Sequence, residues 1–181
     1  MNRFTLMVEQ SDKRVNTVFL SLGSNLGDRL QNLREAIGQI QKTSPTAVRI
    51  SGFYESDPWG NLDLAGFLNC VLEVKVYLSP QELLGFIQNI EKIIGRTVKS
   101  KNGEYSNRVI DIDILTFNKK TINSMELTIP HPFINERKFV LLPLADLEKG
   151  VFLPYDLNSP QHYLKACLDR GGCKRLTSID A

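Results

Sequence analysis

The sequence predicts an α+β fold, and two observations carry that prediction. Four stretches read as strands, three of them rich in β-branched or strictly alternating apolar residues, while two intervening stretches repeat apolar residues at the helical spacings of three and four. Val18 to Leu22 is a β-branched and aliphatic strand that ends in Gly23-Ser24-Asn25, turn and cap residues expected to open a helix. Leu26, Leu30, Leu33, Ile37 and Ile40 then form one stripe of a helix running to about Lys42. Val48 to Tyr54 reads as a second strand. After a loop marked by Pro58 and Gly60, the alternation Leu68, Cys70, Leu72, Val74, Val76 gives a third, half-buried one. Ser79-Pro80-Gln81-Glu82 is a capping box with proline at the first helical position, and Leu83, Leu84, Ile87, Ile90 and Ile94 continue that helix until Gly95 stops it. Ile110 to Phe117 is the fourth strand. The resulting βαββαβ order is the split pattern of ferredoxin-like sandwiches. Pro130 to Pro143 and a short helix near Gln161 to Leu168, ended by Gly171-Gly172, are expected to wrap the sheet as C-terminal segments.

The chain has 181 residues, the size of one ordinary domain, with 42% hydrophobic and 23% charged residues, a balance that excludes a disordered or low-complexity chain. Residues 1–16 read as a flexible lead-in and 17–181 as a single domain. Its apolar stretch from Phe4 to Val8 is broken by Glu9 and Asp12, so neither a secretory signal nor a spanning helix fits. Twenty-two basic residues against 20 acidic leave a net charge of +2, too balanced for a nucleic-acid or membrane-surface role from bulk charge. Any anion must be held locally. Cys70, Cys167 and Cys173 are scattered and odd in number, which argues against a disulfide framework or structural zinc and for a reducing, cytoplasmic setting.

The informative segment is Arg108-Val-Ile-Asp111-Ile-Asp113-Ile-Leu115, because strand alternation puts both aspartates on one face while Ile110, Ile112 and Ile114 fill the other. Their Cα atoms would be about 6 to 7 Å apart, close enough to repel unless a cation intervenes, and carboxylate oxygens are what Mg²⁺ prefers. A bare D-x-D also suits a solvated strand face, and both readings stand at this point. From Arg96 to Arg108 runs a Gly/Ser/Asn-containing stretch with four basic residues, expected to be a mobile surface loop; His131 and Arg137 lie downstream. Arginine beside a metal is a polyphosphate clamp, whereas the loop alone is equally a solvated one with screened charges. Gly23-Ser24-Asn25 lacks both the P-loop and dinucleotide spacings, so turn and cap is its stronger reading. His131 and His162 are the only histidines, and no Ser or Cys stands in a nucleophile elbow. Trp59, Phe67 and Phe139 could be plain core or the lining for a flat heteroaromatic ring, whose edge Asn69 could read.

Five blocks, in this order, resemble the 6-hydroxymethyl-7,8-dihydropterin pyrophosphokinases of folate biosynthesis. They are Leu22-Gly23-Ser24-Asn25-Leu26-Gly27-Asp28; Phe53-Tyr54-Glu55-Ser56 before Pro58-Trp59-Gly60; Phe67-Leu68-Asn69; Arg108-x-x-Asp111-Ile-Asp113-Ile-Leu115; and Ile129-Pro130-His131-Pro132 with Arg137-x-Phe139-Val140-Leu141-x-Pro143-Leu144. The resemblance implies a ferredoxin-like fold and transfer of pyrophosphate from ATP to the pterin's hydroxymethyl oxygen, leaving AMP. It implies that Asp111 and Asp113 bind two Mg²⁺ ions and, with Arg96 and Arg108, are the catalytic set. Gln88, Glu91, Ile114, Thr128, His131 and Arg137 would bind the nucleotide. Phe67 and Phe139 would stack on the pterin, Asn69 would bond its edge, Ser56, Asp57 and Trp59 would supply a loop wall, and Tyr105 would stand on a mobile lid.

The family commonly has Gly-Pro where this chain has Ser106-Asn107, a commoner proline at Asp57, and in places a basic residue at Glu126. Two rivals are a ferredoxin-like module that stacks single-stranded RNA on strand aromatics and a D-x-D enzyme for nucleotide sugars. Against the first, Asp111 and Asp113 would meet a polyanion with negative charge; under the second, Phe67, Asn69 and Phe139 would have no ring to sandwich. The expectation is a small-molecule enzyme, without nucleic acid or membrane, as a monomer with a dimer as the alternative.

Overall fold

The computed structural model describes residues 14–60, 64–95, 106–147 and 158–177. In chain order its elements are β1 (Asn16–Ser24), α1 (Arg29–Gln41), β2 (Arg49–Ile50), β3 (Tyr54–Ser56), β4 (Phe67–Val76), α2 (Pro80–Ile94), β5 (Asp111–Phe117), β6 (Ile122–Asn123), β7 (Thr128–Ile129), α3 (Lys138–Asp146), α4 (Pro160–Ala166) and β8 (Cys173–Arg175). β1 pairs antiparallel with β4 on one side and β5 on the other. β3 follows β4 and β8 follows β3, so the main sheet runs β5-β1-β4-β3-β8, with β2 also on β4; β6 and β7 form a separate ribbon. No helix among the described residues is long and apolar enough to cross a membrane.

Alternation assigns the two faces of the sheet. Val18, Leu20 and Leu22 of β1, Leu68, Cys70 and Leu72 of β4, and Ile112 and Ile114 of β5 bury against Leu33, Ala36 and Ile40 of α1 and Leu83, Ile87 and Ile90 of α2. Each such aliphatic side chain contributes about 1.5 to 3 kcal/mol when fully buried. On the opposite face Val71 and Leu115 pack with Ile134, Leu147 and the α3 residues Val140 and Leu144. A register shift between Phe19 and Leu20 interrupts the β1–β5 ladder, and past it Phe117 joins the same core as Ile112 and Ile114 despite its odd position. From the row holding Val71 towards the C-terminal end of β1, the second face carries polar and small residues beside that valine: Ser21, Gly23, Asn69, Asp111 and Asp113.

Several sequence expectations need correction. β1 continues through Ser24, and α1 starts at Arg29 with the Asp28 carboxylate accepting from the Gln31 amide, so Gly23-Ser24-Asn25 is not the helix cap and Leu26, at 46% exposure, is not on the buried stripe. The expected strand from Val48 to Tyr54 breaks into β2 and β3. Ser51 and Gly52 sit at the break: the Val71 amide donates to Ser51 Oγ at 2.9 Å, and the Gly52 amide donates to Asp146 at 2.9 Å, ending regular pairing. The stretch Pro130 to Pro143, expected only to wrap the sheet, runs into the helix Lys138–Asp146, which caps the second face. Gly171-Gly172 lies five residues beyond α4 and leads into β8 rather than ending the helix. α2 agrees fully, with Ser79 and Glu82 closing both bonds of the capping box and Gly95 left-handed at φ 111°. Of the loop expected from Arg96 to Arg108, residues 96–105 lie outside the described residues, as does most of the lead-in.

Ser79→Ala removes one of the capping bonds on α2, whose inward side holds Leu83, Ile87 and Ile90. The expected loss is about 1 kcal/mol, read from urea unfolding midpoints at unchanged slope.

Candidate active site

Two rows of residues cross β4, β1 and β5 and form the floor of the site. Asn69, Gly23 and Asp111 stand side by side, and Val71, Ser21 and Asp113 form the next row. A Cβ on Gly23 would lie 2.9 Å from Asn69 Oδ1 and 3.4 Å from the Phe67 ring, so only glycine lets these two side chains close over the strand. Asn69 is buried, and its amide nitrogen donates to Ser56 Oγ at 2.9 Å, which orients the carboxamide. Above this floor opens a cavity of about 220 Å³.

Aromatic rings and one arginine make the wall. The Arg137 guanidinium carbon lies 4.6 Å from the Trp59 ring centre, 5.1 Å from Phe133 and 5.7 Å from Phe139. Its Nη1 is 3.9 Å from Asp113. Arg137 Nε is buried with no hydrogen-bond partner among the described residues. A buried donor left in that state costs free energy, so this wall suits an acceptor-rich ligand.

The carboxylates are unequally compensated. Arg108 Nη1 reaches Asp111 at 2.5 Å. Asp113, 39% exposed to the cavity, has its pKa pushed up to about 7, by burial first and then by the negative charges of Asp111 and Glu91, with Arg137 and Arg108 opposing. Among the described residues the negative charges around Asp113 thus outweigh the two arginines. Among the described residues no group of three or more His, Cys, Asp or Glu side chains forms a closed cage. Two open carboxylates fit Mg²⁺, which keeps several waters and completes its shell with phosphate oxygens. His131 was expected among the cations, but burial and then Arg137 lower its pKa to about 4, so it is neutral at pH 7. Its Nδ1 accepts from the Phe133 amide at 3.2 Å, which assigns the proton to Nε2, 3.9 Å from Asp113.

Gly23-Ser24-Asn25 fastens the chain entering β5. The Asn25 amide donates to the Arg108 carbonyl at 3.0 Å and the Arg108 amide to Asn25 Oδ1 at 2.6 Å. Asn25 Nδ2 also donates to the Ala65 carbonyl at 3.0 Å and to Asn107 Oδ1 at 2.7 Å, and Ser24 Oγ donates to the Val109 carbonyl at 2.6 Å. Asn107, one of the departures from the family pattern, is thus tied through Asn25 to the segment that begins β4.

Ser56, Asp57, Trp59, Phe67, Asn69, Arg108, Asp111, Asp113, His131, Arg137 and Phe139 all line the one cavity. Arg96 and Tyr105 lie outside the described residues. Gln88, Glu91, Ile114 and Thr128 are not on the cavity: Glu91 is buried and accepts from the Ile112 amide at 2.9 Å, Ile114 is core, and Thr128 is exposed on β7. Sequence reasoning missed Ser21, Gly23, Asn25 and Phe133. For the first two a signal existed, since they alternate with Leu20 and Leu22 on a strand extended by two residues.

A family model described as 7,8-dihydro-6-hydroxymethylpterin-pyrophosphokinase (HPPK) matches residues 19–149. A 2-amino-4-hydroxy-6-hydroxymethyldihydropteridine pyrophosphokinase of Bacillus subtilis (strain 168) is 44% identical over 133 residues, 73% of this chain and 78% of its own length. A protein of the same name from Aquifex aeolicus (strain VF5) is 42% identical over 138 residues, 76% of this chain and 84% of that one. Among solved structures, a Plasmodium falciparum HPPK-DHPS triple mutant with SDX-DHP superposes with a TM-score of 0.67 at 19% identity. That match covers 88% of this chain but 46% of the other, so this chain spans about half of that protein, and the likeness is one of fold. With the family model covering most of the sequence and relatives above 40% identity, the chain belongs to the 7,8-dihydro-6-hydroxymethylpterin-pyrophosphokinase family.

Proposed function

We propose that this cavity is where the chain transfers pyrophosphate from ATP to the hydroxyl of 6-hydroxymethyl-7,8-dihydropterin, giving AMP and the pterin diphosphate for tetrahydrofolate synthesis. The observation that carries the reading is the Asp111–Asp113 pair standing in the same strand rows as Gly23 and Ser21, at the foot of a wall of aromatic rings. The antiparallel order β5-β1-β4-β3, with α1 and α2 packed on one face, supports a ferredoxin-like arrangement.

The pterin lies between Phe67 and Phe139, with Asn69 bonding its edge and Ser56, Asp57 and Trp59 forming the wall beside it. Ser56 holds the Asn69 amide, so the edge-reading group is fixed before substrate arrives. Arg108 and Arg137, with Arg96, take the phosphates, and neutral His131 offers an N–H rather than a charge. The adenine side of ATP lies along the outer edge of β5, by Gln88, Glu91, Ile114 and Thr128, and Tyr105 belongs to the loop that covers the nucleotide. Asp111 and Asp113 hold two Mg²⁺ ions, which when bound neutralise phosphate charge and acidify the attacking hydroxyl. In-line geometry and electrostatics then carry the reaction without a protein nucleophile. A reducing cytoplasm and a chain working as a monomer complete the reading.

Protein incubated with ATP, Mg²⁺ and the hydroxymethyl pterin is expected to release AMP. Release of ADP, or no turnover beside tight RNA binding, overturns the reading. Asp113→Asn is expected to lower kcat by about 10²-fold or more, with the melting temperature kept, because the carboxylate it removes is disfavoured in the fold; wild-type turnover would reduce the pair to a wet strand face. The pH dependence follows from the same carboxyl. Its folded pKa of about 7 lies above the ordinary value of 3.8, so between those limits the folded chain holds more protons than the unfolded one, and stability from this group falls as pH rises. In EDTA, the melting temperature of Asp113→Asn should therefore gain on wild type from pH 5 to pH 8, and Mg²⁺ should raise wild type more than the variant.

A further inference from the structure

We propose that the turn Asp169–Gly172, which lies beyond the matched residues 19–149, is a positioning element that holds the Trp59 loop against the segment bearing Arg137 and Phe139 in the wall of the pterin pocket. The proposal rests on assigning that pocket to the pterin. At the end of β3, the Asp57 amide donates to the Gly172 carbonyl at 3.0 Å, and the Gly172 amide donates back to Asp57 Oδ2 at 2.6 Å. Asp57 stands two residues before Trp59. The same turn grips the segment that carries Arg137 and Phe139: the Lys138 amide donates to Asp169 Oδ2 at 3.0 Å, and Lys138 Nζ donates to the Gly171 carbonyl at 3.1 Å. Lys138 stands between Arg137 and Phe139. Within the turn, the Gly171 amide donates to Asp169 Oδ1 at 2.9 Å, so one carboxylate fixes both the turn and the start of α3.

Four residues thus span from the Trp59 side to the Arg137 and Phe139 side, and the 4.6 Å stacking of Arg137 on Trp59 measures the distance they hold. A Cβ at 172 would lie 3.0 Å from Asp57 Oδ2, tighter than ordinary van der Waals contact, so a side chain there presses on the carboxylate that accepts from the turn. Its backbone is not among the left-handed ones, which are Gly27, Gly60 and Gly95. Close approach, not a special φ, distinguishes the position. β8 pairs with β3 directly after the turn and anchors it to the sheet.

The test uses Gly172→Ala and Asp169→Ala in the full chain. Trp59 is the single tryptophan, so its emission reports the wall directly, without ligand. Both variants are expected to shift that emission and to raise the KM for the pterin about tenfold, the scale of one lost charge-assisted hydrogen bond, with the KM for ATP and kcat within about twofold. Unchanged emission and unchanged pterin KM overturn the proposal, as does an equal rise in both KM values alongside a lowered melting temperature. Should Gly172→Ala fail to fold, Asp169→Ala decides by the same readings. Failure of wild type to use the pterin would instead remove the pocket assignment, while the ligand-free emission still decides whether the turn sets the wall.

Discussion

Two negative charges on alternate residues of one strand are the constraint around which the site is arranged. Asp111 has Arg108 in direct contact; Asp113 has, among the described residues, Arg137 and a neutral His131 each at 3.9 Å, and burial beside Asp111 pushes its pKa up to about 7. The three isoleucines interleaved with the pair are buried, so neither aspartate can turn away without exposing the core. A fold that fixes unbalanced charge in this way gives up stability to hold a site ready for charge of the opposite sign.

The rest of the pocket keeps that pair accessible. Gly23 gives up a side chain so that Asn69 and Phe67 can lean across β1, and Ser56 holds Asn69 in place. Asn25 draws Arg108, Asn107 and Ala65 to one point, which joins the entry of β5 to the approach to β4. These are backbone and carboxamide bonds rather than charges, and they set where the charged groups emerge.

Residues whose roles follow from period were legible in the sequence. The alternation through Ile110, Ile112 and Ile114 places Asp111 and Asp113 on a shared face, and the capping box and Gly95 delimit α2 to the residue. Roles that depend on partners far along the chain were not. Gly23-Ser24-Asn25 has the composition of a cap, but its donors and acceptors are taken by residues around 65 and 107–109, and no local pattern announces that. The Val48 to Tyr54 run breaks because Ser51 bonds Val71 and Gly52 bonds Asp146, a partner on a later helix. His131 looked like a cation by type; burial beside Arg137 makes it neutral.

β5 carries the carboxylates at the rim of the sheet, where β1 is its only strand partner in the main sheet among the described residues. On its open side the Ile112 amide is held by Glu91, from a helix on the other face. The rigidity of the carboxylate-bearing strand is therefore borrowed from α2. A disturbance of that helix would reach the chemistry as strand breathing, seen first as faster amide exchange along Asp111 to Ile114, with every group that touches substrate still in its place.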